Sequence, residues 1–343
     1  MKVKKKTLLL LVPLEFGFNK VFANNAEMDG FDVYEIAGDI FGNFKYSSTF
    51  QKLTNTFRKI FLKDKDYKKK IKRQYYIDKL HNKFENSPSK TFDFALIIRP
   101  DLWDKDIVNV ITDLAKRSVC YQWDGLMRYP LFLDYIKYFD DVYVFDRSDL
   151  SCHPKLKFST NFWFNYLDRT IKPVAPNNRV LYVGTFQKNR VVEMQLFFSF
   201  LRKSQIDYDA FLYFDNKEDA KSYKDCRTFN ILTHRLNYEE MVKLERDYSI
   251  ILDFQNTLHS GLSFRHFEGL ALERKIITNN KSVRNYDFYH ANNTFILDEF
   301  NWNEIVEFIQ LPFVKSNSNI EKKYSFSNWI RYVLDIKPYQ EMG

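Results

Sequence analysis

The sequence predicts an α/β protein of two doubly wound domains facing a central cleft. Three observations carry that expectation. The chain has 343 residues, about twice the usual single-domain size. An apolar strand, a Gly-containing turn and a helix open the chain, and the same series recurs from Arg179. Short apolar runs alternate with helical periodicities throughout. A content of 45% hydrophobic and 18% aromatic residues is too rich for a disordered chain, which cannot bury such surface.

Residues 8–12 read as the first strand, 19–28 as a helix and 31–36 as a second strand, a βαβ unit. The turn from Pro13 to Phe18 then sits at the carboxyl end of strand one, the edge where open α/β sheets bind ligands. A helical stretch over 57–84 follows. Between Lys63 and Arg73 it concentrates Lys65, Lys68, Lys69, Lys70 and Lys72, interleaved with aromatic residues. The plain reading is a solvated helix whose aromatics face the core; the sharper one is a contact with anionic membrane or acceptor phosphate. Strands are expected over 92–98, 119–123 and 142–145, with a helix over 107–117.

Residues 170–178 carry Pro173 and Pro176 and look like an interdomain linker. Beyond it come a strand over 179–183, a helix over 191–202 and a strand over 208–213. A helix over 239–246, a strand over 249–254, a helix over 262–271 and a strand over 275–278 follow, and a terminal helix spans 325–334. The expected domains are 1–172 and 173–325, both Rossmann-like, with 326–343 a helix and tail packing back on the first domain.

A formal charge of +8 and a pI near 9.0 favour anionic partners: nucleotides, phosphorylated lipids, membrane surface or nucleic acid. Cys120, Cys152 and Cys226 are widely spaced and odd in number, which suits structural thiols in a reducing compartment. Lys2, Lys4, Lys5 and Lys6 before an apolar run imitate a secretory signal. The run is short, however, and Pro13, Glu15 and Gly17 after it suit a buried strand and its turn. No stretch reaches the roughly 20 apolar residues of a spanning helix. The expectation is a cytoplasmic protein, or one peripheral on the inner face of the membrane.

The most informative stretch runs from His259 through Ser260, Gly261 and Leu262 to Asn280, following a strand and opening a helix. Ser260 and Gly261 let the backbone pass close to a ligand, and the N–H groups of Leu262 and Ser263 would point at a phosphate. Arg265 adds a guanidinium fork, and Glu268, one turn on, could accept from both ribose hydroxyls. The alternative is a capped helix with Arg265 and Glu268 paired on the surface. Asn279, after the next strand, faces the same edge. Gly184 and Thr185 end the first strand of the second domain, with Lys188 and Arg190 in the turn where a pyrophosphate leaving group needs positive charge.

The run Ser-Gly-Leu-Ser-Phe-Arg-His-Phe-Glu-Gly-Leu-Ala from Ser260, then Lys-Ile-Ile-Thr-Asn-Asn from Lys275, resembles the donor-binding region of bacterial GT-B glycosyltransferases of lipopolysaccharide and capsule synthesis. Trp123-Asp-Gly-Leu, Val144-Phe-Asp-Arg and Val183-Gly-Thr-Phe-Gln-Lys-Asn-Arg extend the likeness in matching order. In that group an acidic pair at this place contacts the donor sugar and the ribose; this sequence has Ser260 at the first position and Glu268 at the second. The resemblance implies transfer of a sugar from a nucleotide donor, UDP-, GDP- or CMP-linked, to a saccharide or lipid-linked saccharide. No cofactor is implied.

Asp124 follows a strand of the first domain and is the preferred proton acceptor, although it could equally cap a turn before Gly125; Glu15 is the second candidate. Asp146 and Arg147 could form a structural ion pair. The six histidines form no HxH or HExxH group; of the DxD pairs, the one at Asp64 lies in a basic helix far from any expected strand end, the one at Asp104 reads as a helix cap and the one at Asp207 lies at the wrong sheet edge, so no metal site is expected. Two other functions stay open: a sugar-nucleotide epimerase, and a non-enzymatic membrane or nucleic-acid adaptor using the basic segment. Nucleic acid is not the expected partner.

Overall fold

The computed structural model describes residues 5–41, 44–64, 66–85, 91–165, 177–188, 190–256, 258–298 and 301–342. Its contacts divide the chain into two compact units. The first comprises Met1–Val144 with Asp149–Lys157, and the second Phe145–Ser148 with Phe158–Gly343. The expected boundary at 172/173, and the linker residues 170–176, lie outside the described residues.

The first sheet holds β1 (Thr7–Leu11), β2 (Asp32–Glu35), β3 (Phe94–Ile98), β4 (Ser118–Gln122), β5 (Asp141–Val144) and β6 (Leu156–Phe158), in the order β2-β1-β3-β4-β5-β6. β1 pairs in parallel with both β2 and β3, and β4 with β3 and β5. Leu8 to Leu11 and Ala95 to Ile98 are almost wholly inaccessible, as strands covered on both faces must be. The helices are α1 (Phe18–Met28), α2 (Ala37–Ile40), α3 (Thr49–Phe61), α4 (Tyr67–Glu85) and α5 (Lys105–Asp113). The single helix expected over 57–84 is two helices. Lys63 adopts a positive φ of 52°, and the Asp64 carboxylate accepts from the backbone N–H groups of Asp66 and Tyr67 ahead of α4.

The second sheet holds β7 (Val180–Thr185), β8 (Tyr208–Tyr213), β9 (Asn230–Leu232), β10 (Ile250–Asp253), β11 (Lys275–Thr278) and β12 (Thr294–Ile296), in the order β12-β11-β10-β7-β8-β9. Counted from β7, this is the doubly wound order 3-2-1-4-5-6, and neighbouring strands pair in parallel. β9 and β12 are three residues long, and periodicity gave no sign of either. Its helices are α6 (Val191–Lys203), α7 (Lys217–Ser222), α8 (Tyr238–Glu245), α9 (Phe264–Ala271), α10 (Ile305–Gln310), α11 (Ser318–Lys323) and α12 (Phe326–Val333). α12 packs on Phe162 and Phe164; the Phe162 and Trp329 rings are 4.2 Å apart between centroids. The sequence gives that stretch to the first domain, whereas the contacts place it with α12 in the second unit.

Candidate functional site

In the second unit the strand order reverses between β7 and β10, and a ligand crevice is expected at their carboxyl ends. β10 ends there on Asp253, which is 3% exposed. Four side chains converge on its carboxylate. Ser263 Oγ donates to Oδ1 at 2.8 Å and Arg265 Nη1 to Oδ1 at 3.2 Å; His266 Nε2 lies 3.2 Å from Oδ2, and Thr278 Oγ1 donates to Oδ2 at 3.4 Å. Burial alone would raise its pKa, but the His266 and Arg265 contacts and the Ser263 hydroxyl outweigh it and hold Asp253 well below the usual carboxylate range.

Arg265 thereby spans the reversal: its Nη2 donates to the carbonyl of Val183 in β7 at 2.5 Å while Nη1 holds Asp253 in β10. The Arg265 side chain stays 23% exposed, and its guanidinium carries three further N–H donors. Arg190, just before α6, donates from Nη1 to the Phe254 carbonyl at 2.7 Å, one residue beyond β10. Its Nε is buried and meets no acceptor among the described residues. The two arginines thus hold consecutive residues, Asp253 and Phe254, at the carboxyl end of β10. Gly184 lets the Tyr182 ring lie close by, since a Cβ there would stand 2.5 Å from Tyr182 Oη. Thr185 ends β7 beside it, half-buried. Lys188 is 77% exposed and pairs with Asp219 of α7 at 3.0 Å.

Much of the stretch from Ser260 to Asn280 is occupied by the protein itself. Ser260 donates from its backbone N–H and from Oγ to Asp146, which is 1% exposed. The expected Asp146–Arg147 pairing is therefore replaced: Asp146 receives Ser260 and Ser148, and the Arg147 guanidinium lies 3.9 Å from the Phe158 ring centroid. Gly261 is close-packed, with a Cβ position 2.5 Å from the Phe145 ring, so its smallness serves packing. Leu262 is buried and its carbonyl accepts from Asn161. α9 starts at Phe264 and not at Leu262, so the amides of Leu262 and Ser263 precede the first turn; the open helix end belongs to Phe264 and Arg265. Asn279 Oδ1 accepts from the Gln255 amide, while Asn280 and Ser282 hold the Ser260 and Gly261 carbonyls.

Glu268 departs furthest from expectation. It is fully buried, close to Glu245, and burial raises the pKa of both carboxyls, against the pull of Arg265. The reason is geometric. α9 connects two parallel strands and so runs away from the carboxyl edge. Three residues beyond Arg265, Glu268 sits about 4.5 Å deeper along the helix. Arg265 has the reach to return to the edge; Glu268 does not.

In the first unit, Asp124 follows β4 and is paired with Arg99 and, at 3.6 Å, with Arg128. Arg99 also holds Asp101 through two hydrogen bonds of 2.8 and 2.9 Å and lies 3.8 Å from the Tyr129 ring centroid, on a backbone of φ 55°. Glu15 differs. It is exposed in the turn after β1, beside Phe16 at φ 58°, and its carboxylate makes no hydrogen bond or ion pair among the described residues.

Among the described residues no group of three or more His, Cys, Asp or Glu side chains could hold a metal ion. Asp104 caps α5, Asp64 precedes α4 as a cap, and Asp209 accepts from Arg179 and Tyr248.

No family model matches the chain, and no curated protein matches it in sequence. Solved structures do match over nearly its whole length. The apo form of the lipopolysaccharide outer core galactosyltransferase WaaB aligns with 98% of this chain and 100% of its own, at 11% identity and a TM-score of 0.53. The chain has the GT-B fold. A putative UDP-N-acetylglucosamine 2-epimerase from Listeria monocytogenes aligns with 99% of this chain and 100% of its own, at 9% identity and a TM-score of 0.51. At such identities the likeness concerns the fold alone; a transferase and an epimerase both appear among the neighbours, so function rests on the site.

Within this GT-B chain, sequence reasoning missed Asp253 and Arg99, and it paired Asp146 with Arg147 where the partner is Ser260. A signal for the first was present: Asp253 lies at the end of a strand of the second domain, and Asp124 was singled out for standing just beyond one in the first.

Proposed function

We propose that the protein is a glycosyltransferase that moves a sugar from a nucleotide-linked donor to a saccharide or lipid-linked saccharide in cell-surface polysaccharide assembly. The single observation that carries this reading is Arg265, fixed by Asp253 and Val183 across the β7/β10 reversal with donors to spare and with Arg190 close by. A departing nucleoside diphosphate presents oxygens in the geometry that such forks match, and charge neutralisation by two preorganised arginines requires no metal. The second unit holds the donor through Arg190 and Arg265, with the Gly184 and Thr185 turn and the start of α9 lining the diphosphate. The first unit presents the acceptor. As the bond from the anomeric carbon to the diphosphate breaks and the acceptor oxygen bonds to that carbon, the hydroxyl proton passes to a carboxylate. Glu15 takes this role in preference to Asp124, which Arg99 and Arg128 already engage.

A peripheral position on the inner membrane face accompanies this reading, with the basic residues from Lys63 to Arg73 against anionic headgroups. Among the described residues no helix is long and apolar enough to cross a membrane.

Thermal shifts with UDP, GDP, CMP and ADP test the donor site. A ligand at one hundred times its Kd stabilises the folded state by about 2.7 kcal/mol. One of the four should raise the melting temperature of the wild type and leave that of Arg265→Ala unmoved; no shift with any of them removes the donor assignment. The fold shared with the epimerase supports a second reading, which the same protein tests: epimerised nucleotide sugar formed without acceptor would replace the transferase.

A further inference from the structure

Helix α3 has the sequence TFQKLTNTFRKIF, and none of its residues is buried. Phe50, Leu53, Phe57, Ile60 and Phe61 are each more than half exposed, from 55% at Phe57 to 77% at Phe50, and Leu62 just beyond is 61% exposed. At 100° per residue the five helical positions fall within an arc of about 100°, the width of a face that a helix normally buries. The Phe57 and Phe61 rings lie 4.9 Å apart between centroids, so the stripe is continuous at its end. Scattered exposed apolar side chains need no explanation; an aromatic stripe along one whole helix does.

The helix is nonetheless well defined at its ends. Ser48 accepts from the Gln51 amide, Gln51 Oε1 accepts from the Ser47 amide, and Arg58 stands in the last turn, paired with Asp64 at 3.2 Å. Thirteen residues without a packed face are marginal as a helix in water.

Charge identifies what covers the stripe. Residues 49–73 hold ten Lys or Arg against two Asp, a net +8, which equals the formal charge of the entire 343-residue chain. The rest of the protein is therefore balanced, and its whole excess of positive charge sits on α3, the first turns of α4 and the turn between them. Lys52, Lys59, Lys63, Lys68 and Lys70 are exposed and make no ion pair among the described residues. An apolar aromatic stripe on one face of a helix, with unpaired lysines on the other face and in the segment beyond it, matches the boundary of an anionic bilayer: rings among the upper acyl chains, ammonium groups toward the phosphates. A protein partner would need acidic charge around an apolar groove, whereas a bilayer supplies both over any area.

We propose that α3 lies in the plane of an anionic membrane with Phe50, Leu53, Phe57, Ile60 and Phe61 inserted below the headgroups, and that the lysines around it hold it there. The proposal rests on the membrane-facing reading given above and deepens it, because it names the inserting element; it is independent of the donor site.

Co-sedimentation with phosphatidylcholine vesicles, with and without phosphatidylglycerol, tests it on the full chain. Wild type should bind only the anionic vesicles, and less at high salt. The double variant Phe57→Gln with Phe61→Gln should bind at least about tenfold more weakly while keeping the wild-type melting temperature, since neither ring is buried. The triple variant Lys68→Gln, Lys69→Gln, Lys70→Gln should lose the preference for phosphatidylglycerol. If wild type binds anionic vesicles and the double phenylalanine variant binds equally well, insertion of α3 is overturned and an electrostatic contact stands. If wild type binds neither vesicle, the membrane reading falls as well, while the nucleotide-dependent thermal shift still reports on the donor site. A dimer in sedimentation velocity that the phenylalanine variant abolishes would make the occupant a second copy and overturn the proposal.

Discussion

Asp253 stays ionised at 3% exposure because Ser263, Arg265, His266 and Thr278 all turn toward its two oxygens. Removing one partner of a buried pair is expensive, since the other is left uncompensated. Asp253→Asn is therefore expected to lower stability by about 3–5 kcal/mol in a urea titration. It should also release Arg265 and so weaken nucleotide binding; unchanged stability would mean that the four contacts are dispensable. Gly261→Ala addresses a different constraint. Its Cβ would meet the Phe145 ring at 2.5 Å and the Phe145 carbonyl at 2.8 Å, and a backbone atom cannot rotate aside. Overpacking of this kind costs about 1–3 kcal/mol, readable in a denaturant midpoint. The sequence marked Gly261 correctly as a place of close approach, but attributed the approach to a ligand when the neighbour is Phe145.

At the scale of elements, the amino end of the first sheet is joined by Asp93. It accepts from the backbone N–H and Oγ of Thr7 at the start of β1 and from Lys116 just before β4. The Lys116 contact, followed by the Thr7 amide, lowers its pKa from 3.8 to about 2. A depressed carboxyl pKa contributes stability in full above the unfolded value and loses it as pH falls through the folded one. Wild type should thus lose stability between pH 3.8 and about 2 that Asp93→Asn, already lacking the charge, does not lose. Urea midpoints at the two ends of that window decide it, and parallel losses in both proteins would reject the assignment. Elements were legible where periodicity spans several residues: β1, β7, α6 and α9 appear within a few residues of expectation. They were not where a local cap interrupts a helical pattern, as Asp64 does between α3 and α4, nor in the three-residue edge strands β9 and β12.

For the whole molecule, two sheets with separate cores imply that a nucleotide protects one unit from exchange before the other. Hydrogen exchange with the stabilising nucleotide should slow the amides of β7, β10 and the first turn of α9, and leave β1 and β3 unchanged. The reverse pattern would move the donor to the first unit. The sequence by itself determined the α/β class, the repeat of the strand–turn–helix opening and the carboxyl edges where ligands belong, because these follow from short-range periodicity and from which residue types can be buried. It also set the concentration of positive charge on residues 49–73. Only the tertiary structure decided which polar groups remain available. Glu268 and Arg265 are three residues apart on one helix, yet one is fully buried and the other reaches the edge. Ser260 looked open to a ligand and is spent on Asp146, 114 residues away. A side chain's availability depends on partners brought to it by other strands, and that is settled only when the sheets are assembled.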